Sequence, residues 1–211
     1  LRRRGVFIAA VLALAGIVAG CADSGFQYVK SSEDRTYFKV PDRWTLFDED
    51  AIMERFGAGL TEAQRAAELE QSWRVAFDAS PKPSVNNVLR SRTKYPAGLA
   101  IVRPLSFDAA DTLSNSSLRN LFVDIDSAQQ DGTGEIQEYE ELQLDGGFRG
   151  IHVVATIDTG NGRPVTVDQT ALVDQATTKL YALLITCSSV CYDKNRRDIE
   201  QVVGSWTVRA K

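Results

Sequence analysis

The chain has 211 residues, 44% of them hydrophobic, with 24 basic against 28 acidic side chains and a formal net charge of −4. That balance suits one globular domain with a sizeable core and leaves no compositional case for disorder. A net negative surface is not one built for nucleic acid or for anionic lipid headgroups.

The first stretch has three parts. Leu1-Arg2-Arg3-Arg4 is a short basic head, Val6 to Ala19 is an almost unbroken apolar run, and two small residues precede Cys21. This is the layout of a secretory signal, and the run falls short of the roughly 20 apolar residues a bilayer-spanning helix needs. Because the cysteine itself closes the signal, Val18-Ala19-Gly20-Cys21 resembles the lipobox of bacterial lipoproteins. The resemblance implies cleavage before Cys21, acylation of its thiol by a fatty acid such as palmitate, and a lipid anchor on the extracytoplasmic face of the cell membrane. Arg3-Arg4-Gly5-Val6-Phe7 is an incomplete twin-arginine motif, and the strong apolar run favours the general secretion route. Beyond residue 20 the chain keeps 21 basic and 28 acidic residues, a net charge of −7. Three parts are therefore expected: a lipoprotein signal peptide over 1–20, the lipidated cysteine with a flexible tether over 21–35, and a single domain over 36–211. Asp23, Ser24, Gly25, Ser31, Ser32, Glu33 and Asp34 make the tether polar.

Thr36 to Pro41 alternates and stops at proline, which suggests a strand, and Asp42 to Phe47 reads as a turn and a second short strand. Thr61-Glu62-Ala63-Gln64 is a capping box. Behind it Ala66, Leu69, Trp73 and Ala76 recur at steps of three and four, which predicts a helix to about Phe77, broken by Ser80-Pro81-Lys82-Pro83-Ser84. Val85 to Arg90 and Leu99 to Leu105 look like paired strands around Tyr95-Pro96-Ala97-Gly98. Leu118, Leu121, Phe122 and Ile125 mark another amphipathic helix, capped by Ser114, Asn115 or Ser116.

The rest is richer in strands. Glu135 to Leu144 and Arg149 to Thr159 come first, and Gly160-Asn161-Gly162 is a hairpin signal before the strand Pro164 to Asp174. Leu180 to Ile185 is apolar on both faces and should be a central strand. Ile199, Val202 and Val203 give a last helix ended by Gly204, and Ser205 to Arg209 closes the domain as a short strand. This order implies an antiparallel sheet with helices packed on it, an α+β domain.

Tyr37-Phe38-Lys39-Val40-Pro41-Asp42-Arg43-Trp44 resembles the opening of the Mog1/PsbP-like fold. Lys179 to Thr186, a short loop, and Ile199 to Trp206 resemble its closing strand, helix and "serine, aromatic" strand. The resemblance spans most of residues 36–209 and implies an α/β/α sandwich. Relatives of this kind include a subunit that organises a photosynthetic membrane complex, a binder of a small GTPase and many bacterial lipoproteins. They are mostly binding and assembly proteins, and no shared catalytic residue carries over to this chain.

Cys187 and Cys191 remain as a close pair once Cys21 is assigned to lipid. In an oxidising compartment their simplest use is a small structural disulfide. A metal site would want about four ligands, and a redox pair is normally Cys-x-x-Cys. His152, the one histidine, alternates with Ile151 and Val153 and has no Gly-x-Ser-x-Gly nucleophile elbow to pair with, so a structural or surface role is expected. Asp124-Ile125-Asp126 with Asp131-Gly132 departs from a calcium loop at Ala128 and Gln129 and reads as a solvated helix end. Glu138, Glu140 and Glu141 read as an exposed strand face, and Trp44, Trp73 and Trp206 as core. No phosphate-binding glycine loop or dinucleotide fingerprint occurs, so no cofactor, metal or nucleic acid is expected. The expected function is a membrane-anchored, non-catalytic binding or assembly module for a cell-envelope partner. The alternatives are a carrier of a small apolar ligand and an envelope hydrolase.

Overall fold

The computed structural model describes residues 25–89, 94–160 and 162–210. The signal-like stretch and Cys21 lie outside the described residues. Phe26–Ser31 (β1) and Thr36–Pro41 (β2) form an antiparallel hairpin. The tether expected over 21–35 is therefore corrected where it is described: Val29 and Ser31 are buried, and Ser31 Oγ donates to Asp34 Oδ2 across the turn at 2.8 Å. Polar composition hid this strand, because only alternate residues face the domain.

Thr45–Phe47 (β3) leads into Glu49–Phe56 (α1), a helix with no forecast, which Asp48 caps by accepting from the Ala51 N–H. The capping box at Thr61 starts Glu62–Gln71 (α2), but the helix stops there and Trp73–Asp78 is a strand (β4). Ala66 and Leu69 do sit at helical spacing; Trp73 and Ala76 continue that spacing by coincidence. Tertiary pairing decides the matter, since Trp73 to Asp78 lie opposite Val102 to Ala97 in register. Val85–Leu89 (α3) is a helix where a strand was expected. Buried Asp78 winds it: its carboxylate accepts from the Ser80 and Ser84 N–H groups, from Ser80 Oγ and from Asn87 Nδ2.

Ala97–Pro104 (β5) precedes Phe107–Asp111 (α4), a second helix with no forecast. The helix expected through Ile125 is two short ones, Asn115–Arg119 (α5), capped by Ser114, and Ile125–Gln130 (α6), capped by Asp124. The break has a cause in the next layer. Gln169, fully buried, donates Nε2 to the carbonyls of Leu118 and Arg119 at 2.7 and 3.2 Å, which ends α5. Gly134–Leu144 (β6), Phe148–Ile157 (β7), Val165–Val173 (β8) and Lys179–Ser188 (β9) then run as an antiparallel meander. Ser189–Ser205 (α7) starts earlier than expected, with Ser188 as its cap, and Thr207–Val208 (β10) pairs with β2.

The seven-stranded sheet has the order β3-β4-β5-β9-β8-β7-β6, and a three-stranded sheet has the order β1-β2-β10. β9 lies at the middle of the larger sheet, as its two apolar faces require. One face packs against α7 and the smaller sheet through Phe38, Trp44, Phe77, Ile185 and Ile199. The other packs against α5 and α6 through Leu118, Ile125, Ile151, Val153 and Leu180. The result is an α+β sandwich with helices on both sides of an antiparallel sheet. Trp44 is buried, while Trp73 and Trp206 are half-buried and packed against the same core. No helix among the described residues is long and apolar enough to cross a membrane.

Candidate functional site

β8 is buried along its whole length, and its period of two sends alternate residues to two covered faces. Thr166, Asp168 and Thr170 point toward α7. Asp168 is 3% exposed, and a carboxylate so placed needs partners on every side. From β7, His152 Nε2 donates to Asp168 Oδ1 at 2.9 Å; from α7, the Tyr192 hydroxyl donates to Asp168 Oδ2 at 2.7 Å. Arg196, one helical turn beyond Tyr192, lies over its ring at 5.2 Å and reaches within 3.7 Å of Glu138 on β6. Four elements thus meet around one carboxylate.

The electrostatics follow from that packing. Burial works against a charged His152, but the hydrogen bond and charge of Asp168, with Glu138 and Glu140 behind them, outweigh it and raise the imidazole pKa above its ordinary value. Burial, the charge of Asp168 and its hydrogen bond push the Tyr192 hydroxyl far upward, so it stays a phenol and a donor. The sequence offered His152 no nucleophile elbow, and the structure gives it a partner of another kind, the Asp168 carboxylate. Burial of the Asp168 carboxylate under α7 is what demands such partners, and that burial is set by the tertiary packing. The arrangement clamps α7 to the sheet and holds a protonatable ring at its rim. Among the described residues, the side-chain hydrogen bonding of His152 goes to Asp168 alone. A chain of hydroxyls, Thr156 to Thr166 to Ser189 at 3.1 and 3.0 Å, runs separately along the same face.

The other singled-out residues are placed as follows. Cys187 and Cys191 are disulfide-bonded with Cα atoms 5.9 Å apart, joining the end of β9 to the first turn of α7. Glu140 lies opposite His152 and Glu141 opposite Ile151, so the two point to opposite faces of exposed edge strand β6 and do not pair as carboxylates. Asp126 accepts from Arg119, Ser116 and Asn120, and these bonds hold its pKa well below the usual carboxylate range. Among the described residues no cluster of His, Cys, Asp and Glu could hold a metal ion.

No family model and no curated protein sequence matches this chain. Among solved structures, the chain is similar to cyanobacterial PsbP (CyanoP) from Synechocystis sp. PCC 6803, with 14% identity, 92% of this chain and 99% of that chain covered, and a TM-score of 0.50. It is also similar to LpqN, involved in cell envelope biogenesis of Mycobacterium tuberculosis, with 16% identity, 89% and 94% coverage, and a TM-score of 0.50. At such identities the likeness is one of fold. It places the domain in the Mog1/PsbP-like architecture that the two end motifs suggested.

Proposed function

We propose that this chain is an exported lipoprotein, acylated at Cys21 and held on the extracytoplasmic face of the cell membrane, whose domain is a non-catalytic binding or assembly module for a protein of the envelope. The observation that carries this reading is the basic, apolar, small-residue layout ending at Cys21, ahead of a fold shared with a protein involved in cell envelope biogenesis. A carrier of a small apolar ligand is less well supported. The space between the central sheet and α7 is filled by Phe38, Trp44, Phe77, Leu183, Ile185 and Ile199. An envelope hydrolase would need a hydroxyl or thiol on the second ring nitrogen of His152, and among the described residues the only side-chain bond of the ring is the one from Nε2 to Asp168.

The test is to express the full chain in a bacterial host fed an alkyne-bearing palmitate analogue, beside Cys21→Ala, and to crosslink both in the membrane before mass spectrometry. Label on the parent chain, none on the variant and a specific crosslinked envelope protein support the proposal. An unlabelled parent chain overturns the anchor. A defined substrate turned over by the parent chain and spared by a folded His152→Ala variant overturns the non-catalytic reading.

A further inference from the structure

The domain is joined to Cys21 at one particular end. The Gly25 carbonyl accepts from the Asp42 N–H at 2.9 Å, and Gln27 Nε2 donates to the Trp44 carbonyl at 2.5 Å, so the first described residue sits on the β2–β3 turn. From that turn the strand register runs level across the sheet: Thr45 is opposite Asp78, Asp78 opposite Ala97, Ala97 opposite Thr186, and Val165 opposite Ser188. The starts of β3, β5 and β8 and the ends of β4 and β9 therefore share an end with the incoming chain. About 14 Å, three strand spacings, separates the β3 corner from β9.

This end carries a cationic patch. Lys94, Arg163 and Lys194 line an open cleft of about 450 Å³ beside Val190, and Lys94 with Lys82 and Tyr95 lines the adjoining one. All four cations are exposed, and among the described residues neither cleft has a carboxylate in its walls. Of the carboxylates at this end, Asp78 is bonded to Ser80, Ser84 and Asn87, Asp198 to Arg43, Asp193 to Arg196 and Asp158 to the Gly160 N–H, while exposed Asp42 sits on the β2–β3 turn away from both clefts' walls. The net charge of −7 beyond residue 20 hides this asymmetry, because Glu138, Glu140 and Glu141 are gathered on edge strand β6.

We infer that this end of the domain docks on the anionic lipid headgroups of the membrane that holds Cys21. The inference rests on acylation at Cys21. Four peptide steps from Cys21 to Gly25 reach at most about 14 Å, and the screening length at physiological salt is about 8 Å. An acyl chain at Cys21 keeps the cationic end close to the headgroups, where each Lys or Arg contributes about 1 kcal/mol toward an anionic surface. Val190, 65% exposed, and Tyr95 add apolar contacts at the headgroup level. Docked this way, the strands stand up from the membrane and the turn at 32–35 points away from it, toward a partner.

The experiment takes the full chain purified from host membranes and reconstitutes it in vesicles of phosphatidylcholine alone or of phosphatidylcholine with phosphatidylglycerol. Amide hydrogen exchange is read at 79–88 and 188–196, with 145–149 and 174–178 as the far-end reference, and the intact mass reports acylation in the same sample. Protection of the basic end confined to anionic vesicles and lost on raising salt supports docking. Lys82→Gln, Lys94→Gln, Arg163→Gln and Lys194→Gln should each weaken the docking equilibrium about fivefold. The salt titration of the unmodified chain stands even if one of these variants fails to fold. An acylated chain with no anionic-specific protection overturns docking alone. Equal protection by neutral vesicles, or protection only when another envelope protein is present, also overturns it. A chain without the acyl mass removes the anchor beneath the inference and overturns both.

Discussion

His152 on β7 and Asp168 on β8, 16 residues apart, share a hydrogen bond of 2.9 Å beneath the first turns of α7. The second oxygen of Asp168 holds Tyr192, so one carboxylate fixes the angle between helix and sheet. Nuclear magnetic resonance titration is expected to place the His152 pKa above 6.5, and Asp168→Asn should lower it. Because the folded state binds this proton more tightly, the stabilisation is full below the unfolded-state pKa and is lost as pH rises through the folded value. Asp168→Asn should also cost roughly 2–3 kcal/mol by weakening two buried bonds. An unshifted His152 in the variant would contradict the pairing.

Glu49 and Arg74 make a second pH-dependent contact. Glu49 Oε1 lies 3.7 Å from Arg74 Nη1, and neither atom has a hydrogen bond among the described residues. Burial pushes the Glu49 carboxyl up to about 7 against the pull of Arg74, with Asp50 and Asp34 adding to the rise. The folded state again binds the extra proton, so stability falls as pH rises from the ordinary 4.5 through about 7. Urea unfolding of Glu49→Gln should show a flatter slope in that window. At pH ~8 the variant should gain on the order of 1 kcal/mol, since solvent screens a partly exposed carboxyl. An unchanged slope would refute the assignment.

The Cys187–Cys191 disulfide closes a loop of sequence separation 4. Chain-entropy reasoning gives so short a loop about 2 kcal/mol. The double variant Cys187→Ala, Cys191→Ala should therefore remain folded and melt several degrees lower, and a reducing agent should lower the melting temperature of the parent chain but not of the variant. Equal sensitivity of both to reductant would mean that the bond is not what the reagent breaks.

Gly98 lies directly beneath Phe77, whose ring stacks on Trp44 at 5.8 Å and tilts against Phe38 at 6.1 Å. A Cβ at 98 would overlap the Phe77 ring and the Leu184 carbonyl oxygen. Gly98→Ala should cost about 2–3 kcal/mol by overpacking. Gly59→Ala, where nothing lies within 4 Å of the added Cβ, is the control and should be close to neutral. Matching melting temperatures for the two variants would show that the aromatic stack yields freely.

Much of the fold was legible from local pattern. Leu180 to Ile185, apolar on both faces, could only be a central strand, and the Thr61 capping box marked a helix start to the residue. The same reading failed at Trp73, where apolar spacing fitted the helix it follows and the sheet it joins equally well. It failed again at Val85, where a helical turn is wound by Asp78 from a neighbouring strand. Of the candidate site, His152 and the cysteine pair were visible as residues. Asp168 and Tyr192 were not, because nothing local distinguishes a surface aspartate from one under a helix.

By itself the sequence determined the features that short-range physics sets: the basic-apolar-cysteine layout around Cys21, the caps, the strand periods and the antiparallel order of the second half. Tertiary structure alone decided which residues separated by tens of positions share one environment. Gln169 ends α5 by binding the carbonyls of Leu118 and Arg119. Asp168 acquires two donors, and Lys82, Lys94, Arg163 and Lys194 converge at one end of a chain whose total charge is negative. Hydrogen bonds and charges act over a few ångströms, and only the folded chain brings those groups that close.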